Sequence, residues 1–232
     1  MIHSSMIISF KHRFIFIKTA KTAGTSIEIE LSKHCGPEDV ITPLTPRDEK
    51  FRIESGGRGA QNYKVPWRKY SLGQFWLASR LKKRAQLRNH DSIFMAERLF
   101  QIDRGDFYVF AVERNPFNKL VSLADYMGQG ELIREDPNAW LCSQEGVPKP
   151  NGWELYADEK GVVADRIFLF EELGELEKEM MTNFGIRINL RTTITKKSAN
   201  KAALDLKWNE ASRGLIRNAY SSEFEFFYPT LI

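Results

Sequence analysis

The 232 residues carry 34 Lys and Arg against 30 Asp and Glu, a net charge of +4 with a pI near 9.0. With 42% hydrophobic and 28% charged residues the composition is that of a globular protein, long enough for one well-buried core and neither collagen-like nor disordered. No window approaches the roughly 20 apolar residues of a membrane span, and the small positive charge suits an anionic ligand without pointing to nucleic acid.

The chain opens on an apolar stretch, Met6–Phe10, broken by Lys11, His12 and Arg13. That interruption argues against a secretory leader and sets cytoplasmic as the expected location. Cys35 and Cys142 stand far apart with no C-x-x-C between them. They suggest a reducing compartment, no disulfide framework and no metal site.

Residues 13–17 then read as a strand, followed by the lysine pair Lys18 and Lys21 and a run of small residues into Gly24, Thr25 and Ser26. A strand, a tight loop and a helix N-terminus in this order are how a chain wraps an anionic group. The backbone N–H groups of Thr22, Ala23, Gly24, Thr25 and Ser26 are expected to face that group, the three hydroxyls to add donors, and Lys21 to supply full charge. The lysine lies three residues before Gly24, whereas the nucleoside-triphosphatase loop places it after the glycine, as G-K-[ST]. A helix is expected from Gly24 to about His34, with Thr25-x-x-Glu28 as a capping box.

Residues 36–70 hold four of the nine prolines and the glycines 56, 57 and 59 around Arg58. We read 36–87 as a loop-rich insertion, with the glycine cluster a mobile substrate loop. Its basic run Arg80, Lys82, Lys83, Arg84, Arg88 reads as a solvated helix face or a guide for an acidic glycan. Tyr63, Trp67, Trp76, Trp140 and Trp153 are candidates for stacking on sugars or for pinning loops.

A second strand, residues 107–113, ends at Arg114, where Asn115-Pro116 supplies an N-cap and a first-turn proline. The helix that follows runs to about Met127, with Phe117, Leu120, Val121 and Ala124 forming a stripe expected to pack on the sheet. Ser122 falls off the stripe. Arg114 and Ser122 form a candidate second anion site; the other reading pairs Arg114 with Asp125 or Glu113 and leaves Ser122 a plain helical serine. Residues 128–161 read as another loop-rich insertion, and residues 166–170 as a third strand leading into a helix from about Glu172 to Phe184. Apolar strands alternating with helices predict a single α/β domain over residues 1–232, with a central parallel sheet, helices on both faces and ligands beyond the strands' carboxyl ends.

The ordered pair, strand–Lys-x-x-Gly-Thr-Ser–helix then strand–Arg-Asn-Pro-x5-Ser–helix, resembles the nucleotide-binding elements of sulfotransferases that use 3′-phosphoadenosine-5′-phosphosulfate. The likeness is greatest to the carbohydrate and bacterial branch. His90–Phe100 is similar to that family's histidine-led helix, Asp165–Leu173 to its later strand-plus-Glu segment, and Thr195–Lys201 to the loop that closes over the nucleotide. The resemblance covers residues 13–34 and about 88–232. It departs at Ala20, where proline or arginine is frequent, and at Asn118 and Lys119, which replace an acidic-basic pair.

This resemblance implies a three-layer core with a P-loop-like nucleotide site. In it Lys21 and residues 22–26 hold the 5′-phosphosulfate, Arg114 and Ser122 the 3′-phosphate, and Lys197 and Ser198 close over the nucleotide. His90 is the implied general base, with Glu113 or Glu171 next in line. The acceptor is a hydroxyl or amine on a small molecule or glycan, the product adenosine 3′,5′-bisphosphate, and no metal or nucleic acid is expected. Two alternatives stay open: a P-loop kinase-like phosphotransferase, which needs G-K-[ST] and an Asp for magnesium, and a non-catalytic anion- or nucleotide-binding module.

Overall fold

In the computed structural model, which describes residues 6–70, 72, 76, 79, 80, 84–87, 91–190 and 206–231, five strands form one sheet. They are β1 (Met6–Ser9), β2 (Phe14–Ile17), β3 (Val40–Ile41), β4 (Tyr108–Glu113) and, after a two-residue-per-strand hairpin of β5 (Ala157–Asp158) and β6 (Gly161–Val162), β7 (Arg166–Leu169). Their order is β3-β1-β2-β4-β7. β2 pairs parallel with β4, Phe14 opposite Tyr108, and β4 parallel with β7, Phe110 opposite Arg166. β1 is antiparallel to both β2 and β3. Four strands therefore run one way and β1 against them, which corrects the wholly parallel expectation. Only Phe10–Arg13 separate β1 from β2, too short for the crossover that parallel neighbours need, so the pair closes as a hairpin.

The helices are α1 (Gly24–Ser32), α2 (Pro46–Glu54), α3 (Ile93–Phe100), α4 (Pro116–Tyr126), α5 (Gly130–Glu135), α6 (Pro137–Cys142), α7 (Leu173–Phe184), α8 (Glu210–Ala219) and α9 (Ser221–Phe227). Three of them, α2, α5 and α6, lie where loop-rich insertions were expected. Thr45 caps α2, its hydroxyl accepting from Asp48 N at 3.2 Å, and Asp136 caps α6 by accepting from Asn138 N and Ala139 N. Pro46 and Pro137 are first-turn prolines that start helices rather than break them. The glycine cluster has a structural task of its own. It turns the chain off α2: Gly57 N donates to Arg52 O at 2.8 Å, Arg58 Nε to Cys35 O at 3.0 Å and Ala60 N to a Glu49 carboxylate oxygen at 2.7 Å.

Strand alternation divides the core. Ile8, Ile15, Ile17, Val109 and Ala111 pack with Ile93, Ala96 and Phe100 of α3. Ile7, Phe14, Phe16, Phe110, Val112 and Phe168 pack with Ile27 and Leu31 of α1 and Leu176 and Met180 of α7. The stripe of α4 takes a different partner from the one expected: Leu120, Val121 and Ala124 cluster with Trp140 of α6, Ile216 and Tyr220 of α8 and its following turn, and Phe224 of α9. Short helices with an apolar face supply most of the surface there, with Leu169 of β7 packed against the same cluster.

One buried charge group ties α1 to the sheet. Glu28, fully buried, lies 3.3 Å from Lys18 Nζ and 2.6 Å from Arg52 Nη2. Arg52 Nη1 also donates to Thr42 O at 3.2 Å and pairs with Glu49 at 3.2 Å. The expected capping box is thus absent. Ala23 is the N-cap, in left-handed conformation with no side-chain cap bond, and Glu28 turns inward to two cations instead of back to the helix start. A carboxylate this deep must be paired, and two cations meet that need. Burial lowers the pKa of the Lys18 ammonium and the Glu28 carboxylate opposes the shift. Gly24 makes the packing possible, since a Cβ there would overlap Lys18 Cγ.

Glu28→Gln leaves two buried cations facing a neutral amide. It is expected to cost about 3–5 kcal/mol, measured as a lower urea midpoint at unchanged m. A loss below about 1 kcal/mol would show that the group contributes no more than a surface pair.

Candidate anion-binding site

Strands β2, β4 and β7 run the same way, so Lys18, Arg114 and Phe170 all leave the sheet at one edge. The loop after β2 is fastened first. Thr19 Oγ1 donates to Val112 O of β4, the hydroxyls of Thr19 and Thr22 lie 2.8 Å apart, and Thr22 Oγ1 donates to Thr19 O at 3.1 Å. Thr22 is buried, and its hydroxyl ties the loop together through Thr19. Ala20 N donates to Asn151 O at 2.9 Å, which joins the loop to the 148–156 segment.

The backbone then enters a sparsely populated conformation twice. Lys21 has φ 65° and Ala23 φ 60°, both left-handed and neither glycine. Each such residue costs roughly 1–2 kcal/mol, and such strain persists where the surroundings enforce it. Left-handed residues set among right-handed ones turn successive N–H groups toward one side, the backbone habit of anion-binding concavities. The first bond inside α1 runs from Ile27 N to Ala23 O at 3.1 Å. The N–H groups of Gly24, Thr25 and Ser26 precede it and point out of the positive end of the helix. Thr25 and Ser26 are half-buried there, as is Lys21.

Arg114 comes from β4 to meet this loop. Its Nη1 donates to Lys21 O at 3.2 Å, and its guanidinium lies 4.1 Å from the Phe170 ring centroid. Only 3% of it is exposed. Burial lowers its pKa, while Glu171, Tyr228 and Asp125 oppose the shift. The plainer reading of Arg114, as the ion-pair partner of Glu113 or Asp125, is not what forms. Glu113 pairs with Lys119 through both oxygens, at 2.7 and 2.8 Å, and Asp125 pairs with Arg134 at 2.7 Å. Asn115 caps α4 as expected, its Oδ1 accepting from Phe117 N at 3.0 Å. Ser122 lies on that helix, half-buried, about 10 Å along the axis from the cap by helical rise. Lys21 and Arg114 are therefore in contact, and Ser122 shares the Arg114 unit. His90, Lys197 and Ser198 lie outside the described residues.

Both carboxylates considered as bases have other tasks. Glu113 is fully buried against Lys119, with burial raising its pKa and Lys119 opposing the shift. Glu171 accepts from Asn115 N at 3.2 Å and from the Tyr228 hydroxyl at 3.0 Å, holding the start of α4 to the C-terminal segment. Trp140 is a core residue whose Nε1 donates to Gln129 Oε1 at 2.8 Å, not a sugar platform. The Glu113–Lys119 pair escaped the sequence reading; its one signal was the departure at Asn118-Lys119. Gly152 passes directly over the pair, where a Cβ would come within 3.1 Å of Glu113 Oε2 and Lys119 Nζ. A separate cavity of about 270 Å³ lies along β7, between Arg166, Glu172 and Phe226, and shares none of the loop residues.

No protein-family model, curated protein or solved structure matches this chain. The site stands on its own geometry: strained backbone, a helix N-terminus, a half-buried lysine and a buried arginine at one sheet edge.

Ala23→Gly removes the left-handed penalty at the N-cap and is expected to raise stability by about 0.5–1 kcal/mol, read by urea denaturation. A loss of stability would mean that the backbone at residue 23 is unstrained.

Proposed function

We propose that this chain is a sulfotransferase that moves a sulfuryl group from 3′-phosphoadenosine-5′-phosphosulfate to a hydroxyl or amine acceptor, with carbohydrate among the acceptor classes. The proposal includes a three-layer α/β core with a P-loop-like nucleotide site and a cytoplasmic location. It rests above all on one contact, Arg114 Nη1 to Lys21 O at 3.2 Å, which joins the two motif units that carry the family resemblance.

The donor set fits an anionic, doubly phosphorylated nucleotide: backbone N–H groups at an N-terminus with no side-chain cap, one lysine and one stacked arginine. The bound donor supplies an activated sulfuryl group on a phosphate leaving group. The N–H groups of residues 24–26 and the Lys21 ammonium meet negative charge that grows on the departing phosphate. They thereby favour the transition state over the ground state. Arg114, fixed by Phe170 and by Lys21 O, brings its guanidinium to the 3′-phosphate in this scheme, and the resemblance adds Ser122 of α4. His90 takes the acceptor proton in this scheme, a role carried by the resemblance and by the near-neutral pKa of imidazole. Glu113 is set aside as a base because Lys119 occupies both of its oxygens. With charge met by side chains and backbone, the scheme assigns no metal. A kinase loop has its lysine after the glycine, and here Lys21 precedes Gly24.

Thermal shift tests this directly. Adenosine 3′,5′-bisphosphate is expected to raise the Tm of the wild type, with most of the gain lost in Arg114→Lys and Lys21→Met. Greater stabilisation by ATP with magnesium would favour a phosphotransferase and sink the proposal. Equal stabilisation by bisphosphate and by inorganic sulfate at the same ionic strength would leave only a general anion site.

A further inference from the structure

The Lys21 ammonium lies 4.7 Å from the ring centroid of Tyr126, the last residue of α4. Two residues of the β4–α4 unit thus reach the same residue of the β2–α1 loop. Arg114 takes its backbone carbonyl, and Tyr126 takes its side chain. We infer that Tyr126 is a positioning residue, whose ring holds the Lys21 ammonium at the mouth of the loop before an anion arrives. The inference rests on the loop being the anion site proposed above.

A lysine stem is long and freely rotating, and fixing it at the moment of binding costs affinity. A ring face attracts an ammonium without carrying a charge of its own. It can therefore restrict Lys21 without the competition with an anionic ligand that a carboxylate in the same place would bring. The chain does carry a carboxylate next door, Asp125, and the structure commits it elsewhere. Arg134 Nη1 lies 2.7 Å from Asp125 Oδ1 and Arg134 Nη2 2.8 Å from Oδ2, while Arg134 Nη1 also donates to Gly130 O at 2.6 Å. Gly130 is the residue that permits this arrangement: a Cβ there would overlap Asp125 Oδ1 and come within 2.6 Å of Arg134 Nη1. The end of α4 thus turns its acid toward α5 and offers its aromatic ring to Lys21. Tyr126 is 49% exposed, so replacing it removes little buried surface.

Two measurements test the role. In the free protein, the Tyr126 ring current is expected to move the Lys21 ε-methylene protons upfield, in Tyr126→Phe as in the wild type and not in Tyr126→Leu. An ε-methylene at its random-coil position in the wild type overturns the inference. Calorimetric titration then uses adenosine 3′,5′-bisphosphate and, separately, inorganic pyrophosphate. Tyr126→Phe is expected to bind within about twofold of wild type and Tyr126→Leu about three- to fivefold more weakly. In a Lys21→Met background, Tyr126→Leu should have no further effect. Equal binding by Tyr126→Leu and wild type, or the same loss with and without Lys21, overturns the inference. A wild type that binds pyrophosphate but not the bisphosphate excludes the nucleotide donor, and the variant series is then decided on pyrophosphate. A wild type that binds neither overturns both proposals.

Discussion

Glu28 sits between Lys18 and Arg52 with none of the three more than 4% exposed, and the shape of the site follows from that pairing. Lys18 directly follows β2, Glu28 is on α1 and Arg52 on α2, so one carboxylate registers a strand and two helices. The start of α1 is held close over Lys18, at the distance only Gly24 permits. The chain must then return from Lys18 to Gly24 within a short loop, and it does so by placing Lys21 and Ala23 in left-handed conformation. The strain in the loop and the outward aim of the helix N–H groups are the local consequence of that buried pairing. The pairing also separates two lysines that look alike in the sequence. Lys18 is a core residue, and Lys21 stands half-buried at the mouth of the loop.

A second buried pair organises the neighbouring unit. Glu113 ends β4 and Lys119 lies on α4, and their contact sets α4 against the strand that delivers Arg114. Gly152 crosses over this pair, and the residue before it, Asn151, accepts from Ala20 N. The two strand–helix units are therefore joined on one side by Asn151 and on the other by Arg114 and Tyr126. Removing either partner of a buried pair leaves a charge with no compensation, so such groups resist change even where their net contribution to stability is small. Here they serve the geometry of a surface loop.

Local patterns carried much of this organisation. The strands at 14–17, 108–113 and 166–169 and the helices after them lie within a residue or two of their expected bounds, because runs of β-formers ending in caps and small residues are signals in the chain itself. The Asn115 cap and the strand–loop–helix character of residues 14–32 were legible for the same reason. Direction and distant partners were not. Nothing local to Met6–Ser9 states that it pairs antiparallel, and only the shortness of the turn at 10–13 decides it. Thr25-x-x-Glu28 fits a capping box in isolation, but the partner that draws Glu28 inward is Arg52, on another helix. Pro46 and Pro137 read as loop residues until Thr45 and Asp136 are seen as their caps. Contact between Arg114 and Lys21 depends on β2 and β4 being neighbours, a property of the whole sheet.

An amide NMR titration of the wild type with adenosine 3′,5′-bisphosphate tests the central claim most directly, since each N–H of the loop reports for itself. The signals of Gly24, Thr25 and Ser26 and the Arg114 side-chain N–H are expected to shift together and saturate along one binding curve. Shifts confined to the β7 cavity, or an unchanged spectrum at millimolar ligand, would contradict the assignment of this loop as the nucleotide's anion site.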